Sequence, residues 1–424
     1  MRAVVAYPGG GVFAQQVALA FEERGSLAAY VTTLALRPDG AAAKALAGLP
    51  RGFRRALRRE LARRESIVDP AKVRTYPLWE LARVAASRAG AGPVLVDRIW
   101  DRLSHAFDAT VARRHVPDAD AVYAYEYTAL ASFEQARRLG VTCVLDLPSL
   151  SSRGYEVLQR RERASHPELR GPHDAYFDAR FEARQARRDR EIDLADVIVT
   201  NSRLTMRTHV EAGADPAKFV VTPLAAPPAI AAVTRDFAPD RPLAVVWASA
   251  FRFGKGAHVL IEALRGLKPG AALTVDVYGQ VHLTQEALQA ADDLVFHGPT
   301  AQARVLEAME AADVLVFPTL SDGFGLVVGE AFSRGLPVIT TDRAGAAEVV
   351  RHGENGLVIP AGDAEALRAA LQWCLDNRRR LHEMRSAALA AAKTWQWPDY
   401  RRALMDRLGP RLTAQPDLMR CAAQ

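Results

Sequence analysis

Short apolar runs alternate along the chain with stretches in which apolar positions return every three to four residues. Residues 3–7 (AVVAY) read as a buried strand and Gly9-Gly10-Gly11 as a turn. Phe13, Val17 and Phe21 then mark one face of a helix. Residues 28–32, 121–125, 141–145, 197–200 and 219–222 are further strand candidates, and 154–190 is a long polar helical region of mixed charge. Between 223 and 242 five prolines (Pro223, Pro227, Pro228, Pro239 and Pro242) interrupt any period, the signature of a linker. Beyond it the rhythm is cleaner: strands at 243–249, 273–278, 294–297, 314–318 and 338–341 alternate with helices. Such alternation implies parallel sheets covered by helices on both faces. The expectation is an α/β protein of two doubly wound, Rossmann-like units facing across a cleft. The first spans 1–225, the linker 226–241 and the second 242–394. A helix near 395–410, after Trp395-Gln396-Trp397-Pro398, crosses back to the first unit, and the tail from Gly409 is loose. Ligands of such sheets sit outside the carboxyl ends of the strands.

The composition agrees and removes several function classes. A chain of 424 residues with 49% hydrophobic and 25% charged positions has apolar material for two cores, which excludes overall disorder. No apolar run reaches the roughly 18–20 residues that span a bilayer, and Met1 leads straight into a strand rather than a signal peptide. Cys143, Cys374 and Cys421 lie far apart without a CxxC pair, pointing to a reduced, cytoplasmic protein. The ten histidines form no ligand-spaced cluster with them, so no metal is expected. The net charge of +6 is carried by one segment, 51–64 (RGFRRALRRELARR). Its Phe53, Leu57 and Leu61 share a helical face, with arginines on the others. That suits either a helix on an anionic membrane surface or a solvated helix packed on its own unit. Without aromatic-interleaved basic strands, nucleic acid is excluded as a partner.

Four loops carry candidate chemistry. Residues 321–330 (SDGFGLVVGE) follow a strand and open a helix near Gly325. The N–H groups of Gly325 and Leu326 there form an anion site. Glu330, farther along the helix, is placed to accept hydrogen bonds from a vicinal diol, and Asp322 to reach sugar hydroxyls. The plainer reading makes Asp322 a cap and Glu330 a solvated helix residue. Residues 250–256 (AFRFGKG) bring Arg252 and Lys255 to a helix N-terminus, a combination suited to a diphosphate or to an ordinary solvated loop. Gly10 and Gly11 let backbone approach a ligand, without the full GxGxxG spacing. Tyr123, Tyr125, Glu126 and Tyr127 end a strand either at the cleft edge or, for the tyrosines, in the core. Asp118-Ala119-Asp120 precedes its strand and reads as a turn. His297 ends a strand without a visible partner.

Together these stretches resemble the family 4 retaining glycosyltransferases of GT-B fold. The resemblance is dense from about residue 245 to 361, through 313–318, 321–330, 335–340, Glu348 and 355–358. It is looser in the first unit, through Gly9–Gly11 and 195–202 (ADVIVTNS). It implies transfer of a hexosyl group from a UDP- or GDP-sugar, with retention and without a metal, to a cell-envelope glycan or glycolipid. Asp322 would contact the donor sugar and Glu330 the ribose, while Lys255 with Arg252 would hold the diphosphate. Gly323, Phe324, Gly325 and Leu326 complete the donor loop, and Gly10 and Gly11 approach the diphosphate from the first unit. Asp322, Lys255 and Glu126 are the candidate catalytic residues. The sequence departs from the family at three places. Asp322 stands where Glu is usual, Ala250 where the loop arginine is usual, and Tyr125 with Glu126 where a histidine is usual. These departures motivate a rival reading, a non-catalytic nucleotide- or glycan-binding subunit. A nucleotide-sugar epimerase is the third. Oligomeric state is left open.

Overall fold

The computed structural model describes residues 1–36, 64–154, 164–165, 173–267, 272–283, 288 and 294–413. The first half comprises β1 (Ala3–Ala6), α1 (Val12–Glu23), β2 (Leu27–Thr32), β3 (Val73–Thr75), α2 (Leu78–Arg88), α3 (Pro93–Arg114) and β4 (Ala121–Tyr125). It continues through α4 (Leu130–Leu139), β5 (Thr142–Leu147), α5 (Asp174–Leu194), β6 (Val197–Thr200), α6 (Arg203–Glu211) and β7 (Phe219–Val221). The second half comprises β8 (Leu243–Ala248), α7 (Ala257–Arg265), β9 (Leu273–Tyr278), β10 (Leu294–Gly298), α8 (Gln302–Ala311), β11 (Val314–Phe317) and α9 (Leu326–Ser333). β12 (Val338–Thr341), β13 (Gly356–Ile359), α10 (Ala364–Asp376), α11 (Arg378–Lys393) and α12 (Trp397–Thr413) follow.

The strands form two sheets, ordered β3-β2-β1-β4-β5-β6-β7 and β10-β9-β8-β11-β12-β13. Their pairings are parallel. The apolar runs became strands because both faces of each sheet are covered: all of β1, β4, β6, β11 and β12 is buried. Each sheet's order reverses once, between β1 and β4 and between β8 and β11. Crevices open outside the carboxyl ends of strands at such points.

Sequence pattern and structure differ in a few elements. β3 was not expected: it is a half-exposed edge strand whose three residues carry no apolar alternation. In the region expected to be helical over 154–190, Gly154, residues 164–165 and α5 from Asp174 are helical, and 155–163 and 166–172 lie outside the described residues. Helix α12 runs past Gly409 to Thr413, with Arg411 bonding the Ala217 carbonyl at 2.7 Å, so the loose tail does not begin at 409. The basic segment 51–63 lies outside the described residues. Arg64, at its end, forms an ion pair with Glu80, and both side chains are nearly buried.

α12 lies against α1. Arg401 bonds Glu23 at 2.7 Å and Arg24 bonds Asp406 at 2.8 Å, while Tyr400, Leu404 and Leu408 enter the same core as Val17 and Phe21. Where the chain crosses back, the Ala226 N–H donates to the Trp395 carbonyl (3.3 Å). The Trp395 indole N–H donates to the Pro223 carbonyl (3.1 Å).

Candidate active site

At the second sheet's reversal, the loop leaving β8 lies on the loop leaving β11. Gly256 makes this possible: its φ is +79°, and a β-carbon there would sit 1.9 Å from the Pro318 carbonyl oxygen. The Gly254 carbonyl accepts from the Leu320 N–H (3.2 Å) and the Thr319 hydroxyl (3.3 Å). On this joint surface the Lys255 ammonium ion-pairs with Asp322, and each side chain is about one-fifth exposed (19% and 20%). Lys255 also lies 5.4 Å from the centre of the Phe317 ring. Asp322 is fixed from both sides, its N–H donating to the Arg343 carbonyl and its own carbonyl accepting from the Gly345 N–H, both at 3.0 Å. Arg252 is exposed beside them.

Helix α9 starts at the same place. Gly325 is its N-cap with φ +90°; the Val328 N–H turns back to the Gly325 carbonyl (3.0 Å), and the N–H groups of Leu326 and Val327 precede the first intrahelical acceptor. Glu330, in its second turn, accepts from the Gln302 side-chain amide at 2.6 Å. Burial raises its carboxyl above the usual range, and the Gln302 bond opposes that shift. Gln302 carried no signal in the sequence, since a glutamine opening a helix is unremarkable until the fold sets it beside a carboxylate. Leu326 is half-buried. Gly323 and Phe324, expected in the donor loop, are turned inward, with Phe324 only 4% exposed.

The first sheet's reversal supplies the opposite wall. The turn before α1 is anchored by Thr32, whose hydroxyl donates to the Gly9 carbonyl (3.2 Å), and by Thr33, which bonds the Pro8 carbonyl. Gly10 is exposed and Gly11 caps α1. Tyr123 and Tyr125 are core residues, 1% and 2% exposed, which settles the choice left open above. Tyr125 packs between Tyr7 (4.6 Å) and Phe13 (5.6 Å), where an aromatic ring fills space beneath the turn. Glu126 is paired with Arg188 at 3.0 Å, so its carboxylate has a cation from α5. The next residue, Tyr127, has φ +72°, strained for a non-glycine. Glu191 accepts its N–H at 2.6 Å, Asp101 accepts its hydroxyl at 2.8 Å, and Trp100 stacks on its ring at 5.0 Å. These contacts hold the strain and aim the Glu126 loop. Asp120 is a turn residue at the sheet's amino end, accepting the Arg2 N–H at 2.6 Å. His297, without a visible partner in the sequence, pairs with Asp276 at 2.6 Å and stacks on Tyr278.

The two walls touch. The Gly323 carbonyl accepts from the hydroxyls of Ser202 (2.7 Å) and Thr205 (3.1 Å), and Glu348 accepts the Leu204 N–H at 2.8 Å. A β-carbon on Gly323 would lie 1.8 Å from the Pro148 carbonyl oxygen. This clasp was invisible in the sequence because its partners are more than 100 residues apart.

Asp146, on β5, was also missed. It is 7% exposed and accepts the Tyr123 hydroxyl at 2.5 Å. Burial pushes its carboxyl from 3.8 up to about 7. Burial likewise takes Glu191 up to about 7. A carboxyl raised in the folded state binds its proton more tightly there than in the unfolded chain. Its stabilising effect is therefore complete below pH 4 and lost as pH rises through 7. For Asp146 the loss is of the order of 4 kcal/mol at 1.36 kcal/mol per unit. Denaturant unfolding from pH 4.5 to 8 is expected to lose stability in the parent, and less steeply in Asp146→Asn. Parallel profiles for the two proteins would remove Asp146 from this role.

Among the described residues no group of three His, Cys, Asp or Glu side chains is placed to hold a metal, and no helix is long and apolar enough to cross a membrane. Comparison with known proteins shows what the chain is similar to. Residues 235–391 match the family described as Glycosyl transferases group 1. A D-inositol 3-phosphate glycosyltransferase of Nocardia farcinica is 30% identical over 236 residues, 50% of this chain and 52% of that protein. A phosphatidyl-myo-inositol mannosyltransferase of Mycobacterium leprae is 32% identical over 148 residues, 34% of this chain and 40% of that protein. The matched stretch thus spans about half the length of these relatives or less. Among solved structures, Anabaena Alr3699/HepE in complex with UDP is similar with a TM-score of 0.61 at 17% identity, covering 97% of this chain and 100% of that one. The chain therefore has the two-unit GT-B fold, and its residues 235–391 are similar to the group 1 glycosyl transferases.

Proposed function

We propose that this chain moves a hexosyl group, with retention at the anomeric carbon, from a nucleotide-diphosphate sugar to a cell-envelope glycan or glycolipid. In this reading residues 242–394 hold the donor. Residues 1–225, with the helix near 395–410, face the acceptor. The single observation that carries it is the grouping of Lys255, Asp322, the α9 N-terminus and Glu330 at the reversal of the second sheet. As the bond between sugar and diphosphate breaks, negative charge grows on the diphosphate. Lys255, Arg252 and the α9 N–H groups are the chain's own charges and dipoles for it, so the reading includes no metal. Glu330 accepts the ribose hydroxyls in place of the Gln302 amide, and Asp322 is shared between Lys255 and the donor sugar. Gly10 and Gly11 bring backbone toward the diphosphate from the other wall. Glu126, held by Arg188, orients the acceptor. Similar proteins support the donor class: Anabaena HepE was solved with UDP-glucose, and the relatives are named for glycosyl and mannosyl transfer. Attachment to the inner face of the cytoplasmic membrane through residues 51–64 belongs to the same proposal.

The test is a melting screen against UDP, GDP, ADP, TDP and their sugars. A donor at 100 times its dissociation constant adds about 2.7 kcal/mol of stability. Glu330→Ala removes charged hydrogen bonds and is expected to weaken that donor about 10–100-fold. Nucleotide release on adding acceptor then separates transfer from binding alone. If no nucleotide shifts the midpoint, the donor site as drawn is overturned.

A further inference from the structure

On the face opposite the candidate active site, at the amino ends of β8 and β11, four guanidinium groups surround one nearly buried carboxylate. Asp313, 12% exposed, accepts from Arg235 (3.2 Å) and Arg378 (3.1 Å) and pairs with Arg241. It also accepts the Ala244 N–H at 3.0 Å, so its oxygens are fully engaged. The fourth cation, Arg385, is 3% exposed and bonds only carbonyls, those of Ala312 (2.7 Å) and Glu310 (3.2 Å). Its Nε has no acceptor among the described residues, an uncommon state for a buried charged donor.

The other carboxylates nearby do not close the balance. Asp236 is exposed at the rim, and Glu310 is exposed and engaged by Arg334 at 3.2 Å. Crowding of the cations is visible in their acidities. Burial, followed by Arg235, takes Arg385 down to about 10. Burial lowers Arg235 too, with Arg241 and Arg378 adding to the effect and Asp313 opposing it.

A small pocket, partly open to solvent, lies at this cluster, with an interior of about 10 Å³, room for one occupant of about the size of a water molecule. Asp236, Phe237 and Arg241 of the connecting segment line one side, and Arg378, His382 and Arg385 of α11 the other. We propose that this pocket binds a small inorganic anion. Excess positive charge, an orphaned guanidinium donor and a concavity coincide there. Guanidinium forks suit an oxyanion, and the narrow interior excludes a nucleotide. An occupant would join the connecting segment 235–241 to the start of α11, away from the candidate donor loops. The inference does not depend on the proposed reaction.

The test measures melting midpoints in sodium phosphate and sodium chloride, each against sodium gluconate at equal ionic strength. The parent is expected to gain about 1–3 °C at concentrations near ten times the dissociation constant. The gain should disappear in Arg241→Ala and shrink in Arg241→Lys, which keeps the charge but not the fork. It should persist in Lys255→Ala, where the candidate donor loop has lost its cation. A gain with phosphate alone assigns an oxyanion, and one with chloride assigns a halide; both support the site. No gain over gluconate overturns the proposal. So does an equal gain in Arg241→Ala, or its loss in Lys255→Ala, which would move the anion to the donor loops.

Discussion

Lys255→Ala is expected to lower the rate of sugar transfer about 10²–10³-fold, the usual cost of removing one group aimed at developing charge. The prediction rests on the proposed reaction and on the position of the ammonium. Lys255 is held against Asp322 and over Phe317, on a loop that Gly256 alone allows to lie so close to Pro318. Part of the loss comes from Asp322, which would lose its Lys255 ion pair and repel a diphosphate. Lys255→Ala combined with Asp322→Asn is therefore expected to bind donor better than Lys255→Ala alone while remaining as slow. The check is the initial rate of nucleotide release at saturating donor, together with donor affinity. An unchanged rate in the single variant would take Lys255 out of the reaction.

Gly323→Ala carries the second large effect. Its new methyl would fall on the backbone of Pro148, which cannot move aside as a side-chain tip would. The added strain is expected to cost about 1–3 kcal/mol, relieved by parting the two walls. The bonds from Ser202 and Thr205 to the Gly323 carbonyl would lengthen or break. Lower thermal stability, a larger radius of gyration and weaker donor binding are expected together. Ser202→Ala removes one of these bonds without adding volume and should produce a milder version. A variant with parent-like melting and scattering would show that the contact opens without cost.

The parallel sheets were legible because strands buried on both faces are written as short, uninterrupted apolar runs, as in residues 3–6 and 314–317. The exposed edge strand β3 has no such signature. At the candidate site, legibility followed sequence locality. Lys255, Asp322 and Glu330 stand on glycine-marked loops or the helix that follows, whose turns are encoded within a few residues. The contacts that tie them together were not legible, because Gln302 with Glu330 and Ser202 with Gly323 are bonds between distant segments. Tyr125 shows the ambiguity of a phenol at a strand end: the pattern allowed a cleft or a core, and only packing against Tyr7 and Phe13 decides. Asp146 looks like any aspartate in a strand until its burial is known.

The return of α12 onto α1 bears on how the chain is made. The core that holds Phe21 and Tyr123 is completed by Tyr400, Leu404 and Leu408, and the Arg401–Glu23 bond joins residues 378 positions apart. Synthesis proceeds from the amino end at about 5–20 residues per second, so the first sheet waits tens of seconds with one flank uncovered. During that interval the second sheet emerges whole, since its strands and helices are contiguous from β8 to α11. The half made first is thus the half finished last. A ribosome stalled anywhere before residue 400 would leave a chain with an apolar face still open to other nascent chains.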